Sequence, residues 1–164
     1  MLEWDDRTKS IPGDTDAEKL SEGDVFEDAV SIQFPATILP KIPIKEQLPS
    51  IKHGDMEFGV NIWYWNSGTI SIPQITKVIY SYGIEAGKSG ANANVDLKGK
   101  GEYEGGIWKV IFKRELKTSN PKDDLQFETD KLIPIAFGNW DGSNGGKGAK
   151  HTATQWDWLI LEKR

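Results

Sequence analysis

The chain has 164 residues, about the size of one domain and enough to enclose a continuous core. Its formal charge of -5 is carried by acids and bases spread along the whole length, which excludes the clustered Lys and Arg that a nucleic-acid surface needs. Zero cysteines exclude disulfides, thiolate zinc, iron–sulfur ligation and covalent attachment of a c-type haem, and no stretch nears the roughly 20 apolar residues of a membrane span.

A short strand is expected at Leu2 to Trp4, followed by a polar loop over residues 10–24, SIPGDTDAEKLSEGD. The N-terminus lacks the basic and apolar regions of a secretory signal. Strand signals then follow in succession: DAVSIQFP (28–35), VNIWYW (60–65), QITKVIYSYG (74–83), NANVDLKG (92–99), IWKVIFKREL (107–116), KLIPIAFGNW (131–140) and WDWLILEK (156–163). Each is short, rich in β-branched or aromatic residues, and bounded by Gly, Pro, Asn or Asp. In 107–116, Trp108, Val110, Phe112 and Leu116 alternate with Lys109, Lys113 and Glu115, the period of a half-buried strand. The Gly-rich run 87–106 reads as hairpin turns around a short strand. No helical period persists over three turns. The pattern predicts an all-β chain, an antiparallel β-sandwich of the immunoglobulin-like or carbohydrate-binding-module-like kind, with one domain over 1–164.

Chemistry-bearing residues are few. There is no GxSxG or paired-carboxylate frame, so side-chain catalysis has no support, and the chain is expected not to be an enzyme by itself. His53 and His151 lie nearly a hundred residues apart, unlike the close pair of a typical zinc site. Taken singly, His53, Met56 and the seven tryptophans read as ordinary loop or core residues.

Together, FEDAVSIQFP (26–35), HGDMEFGVNIWYW (53–65), GGIWKVIFKREL (105–116), IPIAFGNWDGSNGGKGAKHTATQW (133–156) and WLIL (158–161) resemble the haem-binding γ subunit of ethylbenzene dehydrogenase. They also resemble the cytochrome b subunits of type II dimethyl sulfoxide reductase-like complexes, including dimethyl sulfide dehydrogenase, chlorate and selenate reductases and nitrite oxidoreductase. The W-x-V-x-F-x-R-x-L and A-F-x-x-W-D-G patterns carry most of the likeness. The resemblance implies a β-sandwich that holds one non-covalent haem b, with its iron between two loop-borne axial ligands. It implies electron transfer to or from the iron–sulfur and molybdenum subunits of an oxidoreductase complex, or a soluble carrier, with any catalysis in the molybdenum subunit. It also implies a periplasmic or other extracytoplasmic location. Against the family the chain is expected to begin inside the usual domain boundary, truncated at its N-terminus.

Family members use a methionine and a lysine as ligands. Where they place the methionine this chain has His53, with Met56 displaced by three. A neutral imidazole, with an ordinary pKa near 6.5, ligates at pH 7 without deprotonation, whereas a lysine near 10.4 must lose a proton at a cost of about 4 to 5 kcal/mol. The resemblance places Lys150 nearest the family's lysine, with His151 next and Lys147 as a further alternative. Flanking the two loops, Trp63, Trp65, Phe137, Trp140 and Trp156 are expected as apolar haem walls. Gly54, Gly145, Gly146 and Gly148 are expected to approach the ring edge, and Lys52 and Arg114 the propionates. The competing reading is a carbohydrate-binding module without haem, in which Trp63, Trp65 and Trp140 form an exposed platform.

Overall fold

The computed structural model describes residues 2–5, 26–37, 48–51, 53–55, 57–69, 71–82, 89–92, 96–121, 124–147 and 151–163, the segments 2–5 and 89–92 by backbone alone. The expected opening strand is present as β1 (Leu2–Asp5), while the polar loop 10–24 lies outside the described residues. Then come β2 (Ala29–Pro35), β3 (Val60–Asn66), β4 (Ile75–Ser81), β5 (Ser89–Asn92), β6 (Lys98–Glu104), β7 (Ile107–Lys113), β8 (Leu132–Trp140), β9 (Thr152–Ala153) and β10 (Asp157–Ile160). One 3-10 turn, Gly142–Asn144, follows β8. No α-helix occurs among the described residues, and none of their helices is long and apolar enough to cross a membrane.

The strands form two antiparallel sheets, as the period-two pattern predicts. One has the order β1-β7-β6; the other has the order β10-β8-β2-β3-β4-β5, with β9 also paired to β8. Register fixes which residues share a face. Val30, Ile32 and Phe34 of β2 stand opposite Trp65, Trp63 and Asn61 of β3, and Ile32 stands opposite Phe137 of β8. This face packs on the small sheet, where Val30 and Trp65 close on Trp108 and Val110. The Trp65 and Trp108 rings meet edge to face, 5.0 Å apart, a geometry favoured by the aromatic quadrupole. Toward the other end of β2, Phe34 packs with Leu125, Phe127 and Ile133. The arrangement is the expected antiparallel sandwich, open rather than closed into a barrel.

Two local readings change. The segment read as one strand over 92–99 is shared between β5 and β6, and Gly99 and Gly101, read with the turns, lie within β6, whereas Gly105 and Gly106, with φ of 60° and 87°, do form the turn into β7. At Gly101 the cause is Trp65: a Cβ there would stand 2.2 Å from its Cζ2, so a strand without a side chain at that point admits the indole. Beyond β7 the alternation stops, and Leu116 is exposed rather than buried.

Candidate functional site

Side chains alternate across a strand, so the sheet has a second face carrying Ser31 and Gln33 of β2, Ile62 and Tyr64 of β3, and Ala136, Gly138 and Trp140 of β8. Two loops lie over it. Gln33 Nε2 donates to the Ile51 carbonyl at 3.4 Å, and Trp156 Nε1 donates to the Pro49 carbonyl at 2.9 Å, which fixes the first loop. The second begins with the 3-10 turn after Trp140 and ends at His151.

The first loop is shaped by Asp55. Its carboxylate accepts the amides of Ser50 and Glu57 at 3.0 Å each and of Phe58 at 2.7 Å. Burial alone would raise its pKa, but the Phe58, Ser50 and Glu57 amides together hold it below the ordinary carboxylate value. Inside this clasp His53 has φ of 71° and Gly54 φ of 78°, a left-handed pair. Histidine is among the few non-glycine residues enriched there. A Cβ on Gly54 would meet the Phe58 and Ser81 carbonyls at 2.9 Å, so this glycine serves loop closure.

The result brings together two histidines far apart in sequence. The His53 and His151 rings lie 5.1 Å apart, and His151 in turn stacks on Trp140 at 4.5 Å with 24° between planes. Tyr64 meets Trp140 edge to face at 5.4 Å. Beneath His151 the sheet is bare: a Cβ on Gly138 would reach within 3.7 Å of its Cδ2 and 2.7 Å of Ser31 Oγ. Burial lowers the His53 pKa, and the charge of His151 lowers it further, so the neutral imidazole is favoured. No cluster of three or more His, Asp or Glu with metal-site geometry occurs among the described residues.

Several expected wall residues stand elsewhere. Trp63 and Trp65 occupy the inter-sheet face, Trp65 fully buried against Trp108 and Trp63 half-buried against Phe34 and Phe127. Both lie across the sheet from the histidines, because strand alternation turns Tyr64, their neighbour, toward the loops. Phe137 is on their side, opposite Ile32. Trp140 and Trp156 remain with the loops. Arg114 is likewise on the inner side, its guanidinium 5.0 Å from the Trp63 ring centroid and 4.9 Å from that of Phe127, with Nη2 donating to the Leu125 carbonyl. That position does not suit a propionate bound over the opposite face. With Trp65 and Trp140 buried, the exposed Trp63–Trp65–Trp140 platform expected of a carbohydrate-binding module is not formed.

In the second loop, Lys147 lies 4.3 Å over the Phe26 ring rather than toward His53. Gly145, with φ of 70°, ends the 3-10 turn, and a Cβ on Gly146 would strike the Asp141 backbone, so both glycines serve the turn. Lys52, Met56, Gly148 and Lys150 lie outside the described residues. Tyr64, Gly138 and Gln33 escaped the sequence reading. Tyr64 was legible in the alternation of VNIWYW, but the pattern does not say which face is the core.

The family described as ethylbenzene dehydrogenase matches residues 74–152, from the approach to β4 through β8 to just past His151. Over 158 residues, 94% of this chain, it is 23% identical to a Haloferax mediterranei protein named as a respiratory nitrate reductase haem subunit, covering 48% of that protein. Over 156 residues, again 94% of this chain, it is 26% identical to the chlorate reductase subunit gamma of Ideonella dechloratans, covering 56% of it. The chain spans about half the length of the curated relatives it matches. The motifs of the sequence, the antiparallel sandwich and these matches agree in direction: the chain is similar to the ethylbenzene dehydrogenase family over residues 74–152 and to these two haem and gamma subunits over most of its length.

Proposed function

We propose that this chain is an electron-transfer domain that binds one haem, and that it works as a subunit of an oxidoreductase complex whose substrate chemistry lies elsewhere. The observation that carries this reading is the facing pair His53 and His151 over the Trp140-bearing side of the sheet. The donor set fits the group: two nitrogen donors come from separate loops, one of them biased toward its neutral form, beside an indole wall and a glycine cradle. The absence of cysteine leaves non-covalent, b-type attachment.

When bound, haem supplies a one-electron redox centre. His53 and His151 would hold the iron. Imidazole loses no proton to ligate at neutral pH, and a bis-nitrogen set needs no change of coordination with oxidation state. Lys150, which the resemblance favours, bears the deprotonation cost that His151 avoids. Trp140, Tyr64 and Trp156 would keep water from one side of the site. The names of the relatives support a reductase complex as partner, and the resemblance adds an iron–sulfur or molybdenum subunit, or a soluble carrier, as the electron donor or acceptor. An extracytoplasmic location belongs to the same proposal.

Reconstitution with haem tests it. A Soret band and a reduced α-band at one haem per chain are expected, and the absence of both after reconstitution sinks the reading. His53→Ala and His151→Ala should each abolish the low-spin spectrum, whereas Met56→Ala and Lys150→Ala should retain it. Loss with Lys150→Ala instead of His151→Ala would reassign the second ligand.

A further inference from the structure

Asp28, immediately before β2, is 4% exposed, and its carboxylate joins two parts of the molecule. Oδ2 accepts Trp108 Nε1 of the small sheet at 3.0 Å, and Oδ1 accepts the Gly142 amide of the 3-10 turn at 2.8 Å. A buried carboxylate is tolerated when such donors replace water, and charge-assisted bonds are roughly twice as strong as neutral ones. The same strip of chain is docked twice more: Phe26 N–H donates to the Gly142 carbonyl at 3.0 Å, and Ser67 N–H donates to the Asp28 carbonyl at 2.8 Å. Gly142 fits because it has no Cβ, which would stand 1.8 Å from the Phe26 carbonyl oxygen.

The turn held this way is the root of the loop that ends at His151. Asp141 closes it locally, accepting the Asn144 amide and the Ser143 hydroxyl, but those bonds fix only its internal shape. Its placement on the sandwich comes from Asp28 together with the Phe26–Gly142 backbone bond, and Asp28 is the group that ties it to Trp108. Trp140, two residues before Gly142, is the ring on which His151 stacks. We propose that Asp28 is a positioning residue for the cofactor site: its carboxylate seats the 141–146 turn against the Trp108 core and so sets Trp140 and His151 opposite His53. This inference rests on the haem reading above.

Asp28→Asn tests it with little change of shape. The amide offers one acceptor and one NH2, so either Trp108 Nε1–H or the Gly142 N–H must face a donor. Haem affinity should fall by about tenfold, as for other groups that orient a ligand from outside the coordination shell, and the low-spin fraction at saturating haem should fall with it. Adding Trp108→Phe removes the competing donor, so the double variant should recover low-spin ligation and affinity to within about threefold of Trp108→Phe alone. In the haem-free protein, Asp28→Asn should speed hydrogen exchange at the Gly142 amide and shift the His151 ring resonances. Ile133→Val, in the core away from the turn, should lower stability without any of these changes. Asp28→Asn with wild-type affinity, spectrum and Gly142 exchange would overturn the assignment. So would a double variant no better than Asp28→Asn; if Asp28→Asn alone does not fold, the double variant decides by the same spectrum and exchange. Failure of the wild-type chain to take haem sinks the haem reading instead, and the haem-free measurements still decide whether Asp28 places His151.

Discussion

The imidazole of His151 lies nearly flat on the indole of Trp140, with 24° between planes and 4.5 Å between centroids. Stacking of this kind fixes the tilt of the ring.

Replacing Trp140 therefore has two separable effects. Trp140→Ala should cost about 3 to 5 kcal/mol of stability and weaken haem binding. Trp140→Phe should cost less and keep the low-spin spectrum. Chemical denaturation and haem titration of both variants check this. Equal haem affinity in Trp140→Ala and the wild type would show that the stack does not orient His151.

Acid should weaken the haem-free fold through His53. Its folded pKa is lowered by burial and by His151, so the folded state resists a proton that the unfolded chain takes up at the ordinary value near 6.5. Its contribution is fully present above that value, declines as pH falls toward the lowered folded pKa, and is constant below it. Denaturation midpoints at a series of pH values should fall in that window, and His53→Gln should flatten the slope there. An unchanged slope would mean that another group controls it.

The Asp55 clasp carries its own prediction. Asp55→Ala removes the acceptor of three amides, and because water can reach the exposed Ser50 and Glu57 amides the loss should be about 1 kcal/mol, most of it from Phe58. The displaced His53 should bind haem more weakly. Urea unfolding and a spectral titration measure the two, and the carboxylate's share of the stability should vanish as pH falls through its lowered pKa.

Arg114 should prove structural. Its Nη1, like Trp63 Nε1 and Asp124 Oδ1, is buried without a hydrogen-bond partner, and it faces the inner layer. Arg114→Met keeps the volume but loses the bond to the Leu125 carbonyl and leaves buried Asp124 without its nearby cation, at a cost of about 1 to 3 kcal/mol. Haem affinity should stay within about twofold. A tenfold loss in a folded Arg114→Met variant would restore the propionate role.

Gly101 tests the packing of β6. A methyl group there would overlap Trp65 at 2.2 Å, so Gly101→Ala should destabilise by about 1 to 3 kcal/mol through overpacking. Thermal unfolding checks it, with haem ligation expected to persist.

The strands were legible because β-branched and aromatic residues alternate between glycine and proline stops, as in VSIQF and WKVIF. The resemblance also named His53 and His151, whose rings the fold brings to 5.1 Å of each other. What the sequence left open was direction. VNIWYW alternates equally well with either face buried, and only the small sheet, closing on Trp65 through Trp108, decides that the tryptophans belong to the core and Tyr64 to the site. Gly101 misled for a related reason. A glycine is a turn signal in isolation, whereas here the ring it accommodates lies on a strand more than thirty positions earlier. Asp28 gave no local sign, since its partners Trp108 and Gly142 are 80 and 114 residues away.

The sheet of β2, β3 and β8 is a single wall shared by two compartments, and residue parity along each strand becomes a rule for redesign. Even positions in β2 and odd positions in β3 and β8 face the small sheet; their neighbours, one residue away, face the loops. A substitution in the first set should therefore change melting behaviour and spare the loop side, whereas in the second set, where Val60, Ile62, Ala136 and Trp140 are themselves buried, one codon reaches both compartments.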